Sequence, residues 1–338
     1  MRPRPGRTRG TLGVPPRRAL GALRPVAAAC AAVWGLASCA PLLGARPLAA
    51  ARAGATTFHQ LRAGGRGRSF LLHLPPAGVR RPAPLLLAFH GYQANASVLE
   101  HDSGLDAVAD RHGWAVAYAN GTGGLPFASL AFNAVTCCGT APDRGVDEVA
   151  FARAIVDTLA AMGVADRARV YAAGFSNGGM LALRLACQEE AIVAGVADVA
   201  GAMPDTVCAG RRGLPVLLVR GARDDELRAD HRELRRKDGR RFAASFRGAQ
   251  RYWARRNGCA PGLARDSTAA AVELGAVGCP AGLDVRQIVV AGQGHAWPGG
   301  GRPWLFAPAP SPAVNASERI VAFFEQQAQA GGAPPAGR

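Results

Sequence analysis

The sequence predicts an α/β protein with one catalytic domain, built on a mostly parallel central sheet with helices on both faces. Three observations predict this class. Apolar runs suited to buried strands alternate with amphipathic helical segments. One such run, residues 84–90, is continuously apolar, as expected of a strand covered on both faces. A serine flanked by glycines at 174–178 falls between a predicted strand and a predicted helix.

The first half of the domain follows this alternation. A strand at 68–74 precedes the apolar run, and a single helix is expected over 97–112. A strand at 114–118 comes next. Residues 119–144 are rich in glycine and cysteine, which predicts an ordered surface loop.

The second half continues with a helix over 147–162, whose expected buried residues are Val149, Ile155, Val156 and Leu159. A strand at 169–173 then leads into the glycine-flanked serine, and a helix at 180–188 follows it. The remaining predicted elements are strands at 194–200, 214–220 and 284–290 and a closing helix at 315–329.

The sequence Gly174-Phe-Ser-Asn-Gly178 has the G-x-S-x-G pattern of a nucleophile elbow. A serine there turns sharply from strand to helix, so residues two before and two after it cannot carry bulky side chains. The turn exposes the hydroxyl, and the N-terminus of the next helix faces any oxyanion that forms. Ser176 is therefore the candidate nucleophile.

A serine nucleophile needs a base, and the base needs an acid to orient it. In sheets that carry a nucleophile elbow, the acid and the histidine lie on loops after later strands. The three residues therefore occur along the chain in the order serine, acid, histidine. Asp224 follows the strand at 214–220, and His295 lies in a glycine-flanked loop after the strand at 284–290. Asp225 is an alternative acid. His90 is a rival base, but it ends a strand before the elbow and is expected to shape the oxyanion loop.

The oxyanion hole is expected to combine two backbone N–H groups, one from Asn177 and one from Tyr92. Main-chain donors suit this task because they are oriented before charge develops on the carbonyl oxygen. Gly91 would let the substrate approach closely, and His90 and Gly91 are therefore candidates for the substrate pocket.

The N-terminal region, residues 1–54, is interpreted as an export segment and linker, followed by a catalytic domain at 55–329 and a disordered tail at 330–338. A basic stretch through Arg24 precedes an apolar run too short to span a bilayer. Two outcomes remain open: lipidation of Cys39 in a lipobox-like sequence, or cleavage within 48–51. Either places the mature protein outside the cytoplasm.

The net charge of +16 does not by itself indicate nucleic-acid binding, because nine arginines and no acidic residue fall within 1–54. A second arginine-rich segment, 228–256, is interpreted as a solvated helical surface, with a site for a carboxylate-bearing substrate as the alternative. Its few aromatic residues, among them Trp253, are expected to face the core, so nucleic-acid binding is not favoured.

The mature domain would keep six cysteines, an even number that suggests disulfides in an oxidising compartment. Fifteen pairings are possible, and Cys259 with Cys279 is preferred. The other four are Cys137, Cys138, Cys187 and Cys208. No C-x-x-C pair is present, so no metal site is expected.

Several motifs together resemble the polyhydroxybutyrate depolymerase/feruloyl esterase family of secreted α/β-hydrolases, over roughly residues 60–327. They are Phe89-His-Gly-Tyr92, Phe132-Asn-Ala-Val-Thr-Cys-Cys-Gly139, Val146-Asp-Glu-Val-Ala-Phe151, Val170-Tyr-Ala-Ala-Gly-Phe-Ser-Asn-Gly-Gly-Met180, Trp253 with Asn257-Gly-Cys259, and Gly294-His-Ala-Trp-Pro-Gly299. The resemblance implies an α/β-hydrolase fold, a triad of Ser176, Asp224 and His295, and Trp297 packed beside the site.

One segment departs from that family. Its acid loop usually reads close to H-G-T-x-D followed by V-P-Y, whereas here the loop is Arg220-Gly-Ala-Arg-Asp-Asp-Glu-Leu227. No segment after the catalytic domain resembles a polymer-binding module. We therefore expect the substrate to be a small soluble or cell-associated ester rather than crystalline polyester or fibre.

The expected function is a secreted or lipid-anchored serine carboxylesterase without metal or organic cofactor. Feruloyl or acetyl esters on polysaccharide are the preferred substrates, and short hydroxybutyrate oligomers are the alternative. Two other hypotheses are a peptidase of the prolyl-oligopeptidase type and a non-catalytic envelope lipoprotein.

The expected partners are small-molecule, oligosaccharide or polyester esters, with no nucleic acid and with membrane contact only through a lipid anchor. The sequence does not indicate an oligomeric state.

Overall fold

The structure is a computed structural model that describes residues 51–123, 129–188, 192–204, 208–210, 212–226, 233–235, 241–244, 246–302 and 309–332. The predicted export segment, with Cys39, lies outside these residues, as does most of the predicted tail. None of the helices within the described ranges has the length and apolar character needed to cross a bilayer.

The central sheet has ten strands in the order β1-β2-β4-β3-β5-β6-β8-β13-β12-β11. The bounds are β1 Ala55–Ala63, β2 Arg66–Leu74, β3 Ala83–Phe89, β4 Ala115–Ala119, β5 Ala165–Phe175, β6 Gly195–Val199, β8 Val216–Gly221, β11 Ala260–Ser267, β12 Ala271–Val277 and β13 Val285–Val290. The inner strands from β4 to β13 pair in parallel, whereas β1, β2, β11 and β12 pair antiparallel at the two edges. A small separate sheet contains β7 Met203–Pro204, β9 Glu233–Arg235 and β10 Arg241–Ala244.

Six helices complete the described fold: α1 Ala96–Ser103, α2 Leu105–His112, α3 Glu148–Ala161, α4 Asn177–Ala186, α5 Phe246–Arg256 and α6 Ala316–Ala330. Asn95, Asp147 and Asn315 cap the N-termini of α1, α3 and α6 by accepting a hydrogen bond from a backbone N–H of the first turn.

The core lies on both faces of the sheet, because side chains alternate along each buried strand. On one face, Leu85 and Leu87 of β3 join a cluster with Phe151 of α3 and Leu181 of α4. On the other face, Leu86 joins a second cluster that contains residues of α1, α2 and α6. The prediction of a mostly parallel sheet covered on both faces is confirmed.

Several element predictions need correction. The single helix expected over 97–112 is two helices, because Gly104 adopts a left-handed conformation (φ 61°) between α1 and α2. The β11–β12 hairpin was not predicted, because β11 is exposed and β12 is half-buried throughout, so neither strand shows a clear apolar alternation. Among the described residues of the arginine-rich segment (233–235, 241–244 and 246–256), α5 is the only helix, and β9 and β10 precede it. Trp253 of α5 is fully buried, as predicted.

The parallel strands bring the predicted site residues to one edge of the sheet. Their carboxyl ends all point the same way, and β3, β5, β8 and β13 are followed by His90, Ser176, Asp224 and His295 respectively. His90 and His295, which are more than two hundred positions apart in the sequence, therefore lie at the same edge of the sheet.

Candidate active site

Ser176 lies between β5 and α4 in a strained turn. Its backbone has φ 52° and ψ −114°, a conformation that non-glycine residues rarely adopt. The turn is held in place because the Ser176 N–H donates to the carbonyl of Val199 (2.8 Å) and its own carbonyl accepts from Met180 N–H (3.0 Å). The side chain is half-buried. This geometry is that of a nucleophile elbow.

The flanking glycines are required by close backbone contacts. A Cβ on Gly174 would lie 2.2 Å from the carbonyl carbon of Gly178, and one on Gly178 would lie 2.0 Å from the Phe89 carbonyl oxygen. No side chain fits at either position, because both contacts are with backbone atoms. The spacing predicted from the sequence therefore has a steric cause.

His295 and Asp224 are hydrogen-bonded side chain to side chain. The distance between His295 Nδ1 and Asp224 Oδ2 is 2.9 Å, and the Asp224 side chain is fully buried. The other carboxylate oxygen, Oδ1, accepts from the Glu226 N–H at 3.1 Å. Asp225 is exposed, so of the two candidate acids only Asp224 lies in contact with the histidine.

The two loops that carry these residues are joined through their backbones. The Arg223 N–H donates to the carbonyl of Gln293 at 2.8 Å. A Cβ on Gly221 would lie 2.2 Å from the same carbonyl oxygen. This close approach fixes the distance between the acid loop and the histidine loop.

The imidazole of His295 lies beside the elbow, since its ring centroid is 5.0 Å from that of Phe175. Across the described ranges, no hydrogen bond joins the Ser176 hydroxyl to His295. The Nε2 atom instead lies 3.5 Å from Oε2 of Glu226, whose side chain is 71% exposed. Hydrogen bonds in unliganded catalytic sites often tighten only with substrate bound.

Both ring nitrogens of His90 have hydrogen-bonding partners within the protein. It is fully buried, and its Nδ1 lies 2.7 Å from the Gly91 carbonyl oxygen while its Nε2 accepts from the Gly121 N–H at 3.0 Å. These partners place the proton on Nδ1. Burial lowers the pKa of His90 to about 4, although the hydrogen bond to Gly91 opposes the shift. A neutral histidine with both nitrogens engaged holds the oxyanion loop rather than acting as a base.

The backbone of the oxyanion loop runs over the nucleophile. A Cβ on Gly91 would lie 2.9 Å from Cδ1 of Phe175 and 3.6 Å from Cβ of Ser176. Among the residues that can be described, the backbone N–H groups of Tyr92 and Asn177 donate to no other protein group. Both predicted oxyanion donors are thus available to an external acceptor.

A small apolar cavity of about 30 Å³ adjoins this loop, with His90, Gly91, Val98, Leu99, Phe175 and Trp297 among its lining residues. Trp297 is buried, and its indole N–H donates to Ser317 Oγ of α6 at 3.0 Å. The tryptophan is therefore held rigidly, and together with His90 and Gly91 it forms part of the cavity wall, so all three pocket candidates meet there.

Three buried side chains near the site had no predicted role, although the backbone of Asn177 had one. The amide of Asn177 hydrogen-bonds the backbone of Phe132, and Asp198 and Arg220 both lie against Gly201, which follows β6. In the sequence, Arg220 is notable only because it departs from the acid-loop pattern of the family. Asp198 lies within an otherwise apolar strand, which shows the polar residue but not what it faces.

The six cysteines form three disulfides: Cys137–Cys138, Cys187–Cys208 and Cys259–Cys279. The last is the pairing preferred from the sequence. In the described ranges, no cluster of three or more His, Cys, Asp or Glu side chains has the arrangement of a metal site.

Known proteins that are similar to this chain include several esterases. The family model described as Esterase PHB depolymerase matches residues 68–230. A putative esterase, NocK, from Nocardia uniformis subsp. tsuyamanensis is 35% identical over 77% of this chain and 78% of its own length. Feruloyl esterase B from Piromyces equi is 29% identical over 67% of this chain and 42% of its own length.

Among solved structures, an acetyl xylan esterase from Aspergillus awamori superposes with a TM-score of 0.50 at 13% identity, covering 71% of this chain and 94% of that one. This likeness shows the fold alone, a mostly parallel sheet with helices on both faces. The chain belongs to the Esterase PHB depolymerase family and is a carboxylic ester hydrolase.

Proposed function

We propose that the protein is a serine carboxylesterase that works through Ser176, His295 and Asp224 and a covalent acyl-enzyme. The contact between His295 Nδ1 and the buried carboxylate of Asp224, beside a strained elbow, carries this proposal. A buried, hydrogen-bonded carboxylate holds the imidazole in one tautomer and stabilises the imidazolium that forms during the reaction.

The reaction follows from these roles. Ser176 Oγ attacks the ester carbonyl carbon while Nε2 of His295 takes the hydroxyl proton. The tetrahedral intermediate collapses, the C–O bond to the alcohol breaks, and His295 returns the proton to the leaving alcohol. Water, activated by the same imidazole, then attacks the acyl-enzyme and releases the acid and free serine.

The oxyanion of each tetrahedral intermediate would accept hydrogen bonds from the N–H groups of Tyr92 and Asn177. Both are main-chain donors with no protein acceptor in the described part of the chain. Asn177 is also the first residue of α4, so the helix dipole adds a favourable potential at the same point.

The proposed substrates are feruloyl or acetyl esters carried on polysaccharide. The similarity to a feruloyl esterase and the fold shared with an acetyl xylan esterase support this choice. Hydroxybutyrate oligomers are the second candidate, supported by the family model that matches the chain.

An extracytoplasmic location is proposed with this activity. The three disulfides support it, because such bonds persist in oxidising compartments. Lipidation at Cys39 stays a prediction, which mass spectrometry of the mature N-terminus would test.

The test is an ester panel of p-nitrophenyl acetate, methyl ferulate, acetylated xylo-oligosaccharide and hydroxybutyrate oligomers. Wild type is compared with Ser176→Ala and with the control Ser267→Ala, which changes an exposed serine in β11. We expect S176A to lose at least ~10³-fold in kcat/KM and all labelling by a fluorophosphonate, whereas S267A keeps both. An S176A variant that still hydrolyses or labels contradicts the proposed nucleophile.

A further inference from the structure

A cleft of about 650 Å³ lies beside the end of the β1–β2 hairpin, outside the proposed triad. β2 pairs with β4 from Phe70 to His73, so residues 66–69 of the hairpin extend past the end of β4. They form one wall of the cleft, and residues 120–123, which follow β4, form another. The volume is within the range of ligand-binding clefts, about 300–1,000 Å³.

The cleft lies at the same edge of the sheet as Ser176. Gly121, which lines the cleft, donates its N–H to Nε2 of His90 at 3.0 Å. One strand, β3, separates β4 from β5, which leads into the elbow. Since neighbouring strands lie about 4.8 Å apart, the cleft begins about 10 Å from the nucleophile. A substrate chain whose ester is bound at Ser176 can therefore extend into it.

Three exposed arginines line the cleft: Arg62, Arg66 and Arg144. They come from two segments that are distant in the chain, and Nη2 of Arg66 donates to the Arg144 carbonyl oxygen at 3.4 Å. Arg62 pairs with Gly67 across the hairpin, and a Cβ on Gly67 would meet nothing within 4 Å. The paired position of β2 therefore carries no side chain that would separate Arg62 from the cleft.

The charge of the cleft is positive, since no aspartate or glutamate is found among its described lining residues. Arg68 also lines it, but this side chain is buried and forms an ion pair with Glu148 at 2.7 Å. The three exposed arginines form no ion pair with a carboxylate in the part of the chain that the structure describes. A nearby acid, Asp147, lies against Gly64 at the hairpin turn, and its Oδ1 caps α3. The exposed guanidinium groups are thus available to an anionic ligand.

We propose that this cleft binds a carboxylate-bearing part of the substrate, the uronic acid of an esterified polysaccharide, while the ester lies at Ser176. The inference rests on the proposed function and narrows its substrate class to acidic polysaccharide. Guanidinium groups bind carboxylates through paired N–H donors, so several arginines in one cleft favour such a group. A neutral hydroxybutyrate chain offers no matching charge. The described lining also lacks an aromatic side chain on which a nucleic-acid base would stack.

The substrate pair for the test differs by one carboxylate. One acetylated xylo-oligosaccharide carries a glucuronic acid branch, and the other carries glucose at the same position. For wild type at about 20 mM salt, we expect KM to be about fivefold lower for the acidic substrate. The kcat values should be equal, because the carboxylate binds away from the reacting atoms. At about 300 mM salt the difference should fall to about twofold or less, since exposed charges are screened.

The test variant is Arg62→Gln with Arg66→Gln, which removes two charges and keeps two long polar side chains. We expect the ratio of the two KM values to fall to about one in this variant. Arg144→Gln should change the ratio in the same direction by about half as much. If the double variant is insoluble, the single variant decides, and an unchanged ratio in R144Q then overturns the proposal.

The matched control is Arg80→Gln with Arg255→Gln, which removes the same net charge from two exposed arginines at the opposite edge of the sheet. Arg80 precedes the first residue of β3. Arg255 lies near the end of α5, beside Asn257, which binds the backbone of Leu214 before β8. This control should keep the wild-type ratio. A loss of the same size in the control would show an effect of net charge and would overturn the proposed site.

Direct binding separates this proposal from the proposed function. Calorimetric titration of wild type with the glucuronic acid oligosaccharide, carrying no ester, requires no catalysis. We expect the affinity to fall about fivefold in R62Q/R66Q and to stay unchanged in R80Q/R255Q. Fluorophosphonate labelling at Ser176 reports the nucleophile independently. Loss of labelling with arginine-dependent binding intact would reject the serine esterase and support the cleft.

Two further results overturn the proposal. One is equal binding of the acidic and the neutral oligosaccharide to wild type. The other is tighter binding of a single-stranded oligonucleotide with the same number of negative charges, which would assign the cleft to a phosphate polymer.

Discussion

The side-chain amide of Asn177 forms two hydrogen bonds with the backbone of Phe132: Oδ1 accepts from its N–H at 2.7 Å, and Nδ2 donates to its carbonyl at 3.1 Å. Asn177 therefore ties the elbow to the loop that carries the vicinal cysteines. Phe132 in turn packs on His90, with 4.6 Å between ring centroids. This chain of contacts links the two predicted oxyanion segments.

Replacing Asn177 with alanine should leave the buried Phe132 N–H unpaired, whereas the Phe132 carbonyl still accepts from the N–H groups of Ala134 and Cys138. We expect the free energy of unfolding to fall by about 1–3 kcal/mol. We also expect kcat/KM to fall about tenfold, because the oxyanion loop is no longer held in position relative to the elbow. Denaturant unfolding and steady-state kinetics measure the two effects.

Asn257→Ala is the matched control. Asn257 is also buried, and its amide bonds the backbone of Leu214 and Leu283 away from the elbow. It should lower stability similarly without changing kcat/KM of the folded fraction. An equal loss of kcat/KM in both variants would show that general destabilisation is responsible, rather than a change in the position of the oxyanion loop.

Gly178→Ala should disrupt the elbow by steric overlap, since the new Cβ would lie 2.0 Å from the Phe89 carbonyl oxygen. We expect a loss of at least ~2 kcal/mol in unfolding free energy, or failure to fold. Gly67→Ala in β2 is the control, because a Cβ there meets nothing within 4 Å. It should change stability by no more than about 0.5 kcal/mol. Equal effects at both glycines would contradict the steric explanation.

His90 should make the fold sensitive to acid. Burial lowers its pKa from 6.5 to about 4, so between these pH values the unfolded chain binds a proton that the folded chain does not. Stability should be unaffected by this residue above pH 6.5 and should fall as the pH drops towards 4, by about 3 kcal/mol in all. Unfolding free energies measured from pH 4 to 7 test this.

His90→Gln should flatten that pH dependence, because glutamine does not titrate. His101→Gln changes a histidine whose side chain is 73% exposed and should leave the slope as in wild type. If H90Q retains the full acid-dependent loss, another group is responsible for it.

Glu226→Gln should favour the productive orientation of His295. In the structure the Glu226 carboxylate lies 3.5 Å from Nε2, the atom proposed to accept the Ser176 proton. The glutamine side chain attracts the imidazole less strongly and leaves Nε2 free to face Ser176, so we expect a small rise in kcat/KM. Asp225→Asn, which changes the exposed neighbour, should leave kcat/KM unchanged. A fall in activity for E226Q would indicate that this carboxylate assists the reaction.

The elements that the sequence predicted well are those whose pattern has a local cause. The β3 strand is buried on both faces, so every residue from Ala83 to Phe89 is apolar or small. The elbow requires glycine at two positions because backbone atoms lie where side chains would. The break at Gly104 was missed because one glycine within an amphipathic run does not reveal its left-handed conformation.

The sequence by itself predicted the kind of chemistry and the order of its proposed participants, since Ser176, Asp224 and His295 each follow a strand and carry the required functional groups. Only the tertiary structure distinguishes Asp224 from Asp225, because of these two adjacent residues Asp224 is the one that contacts the imidazole. It also shows that Asp198 and Arg220 both lie against Gly201. Which side chains meet across neighbouring strands depends on register and burial, and these are set by packing between segments that are distant in the chain.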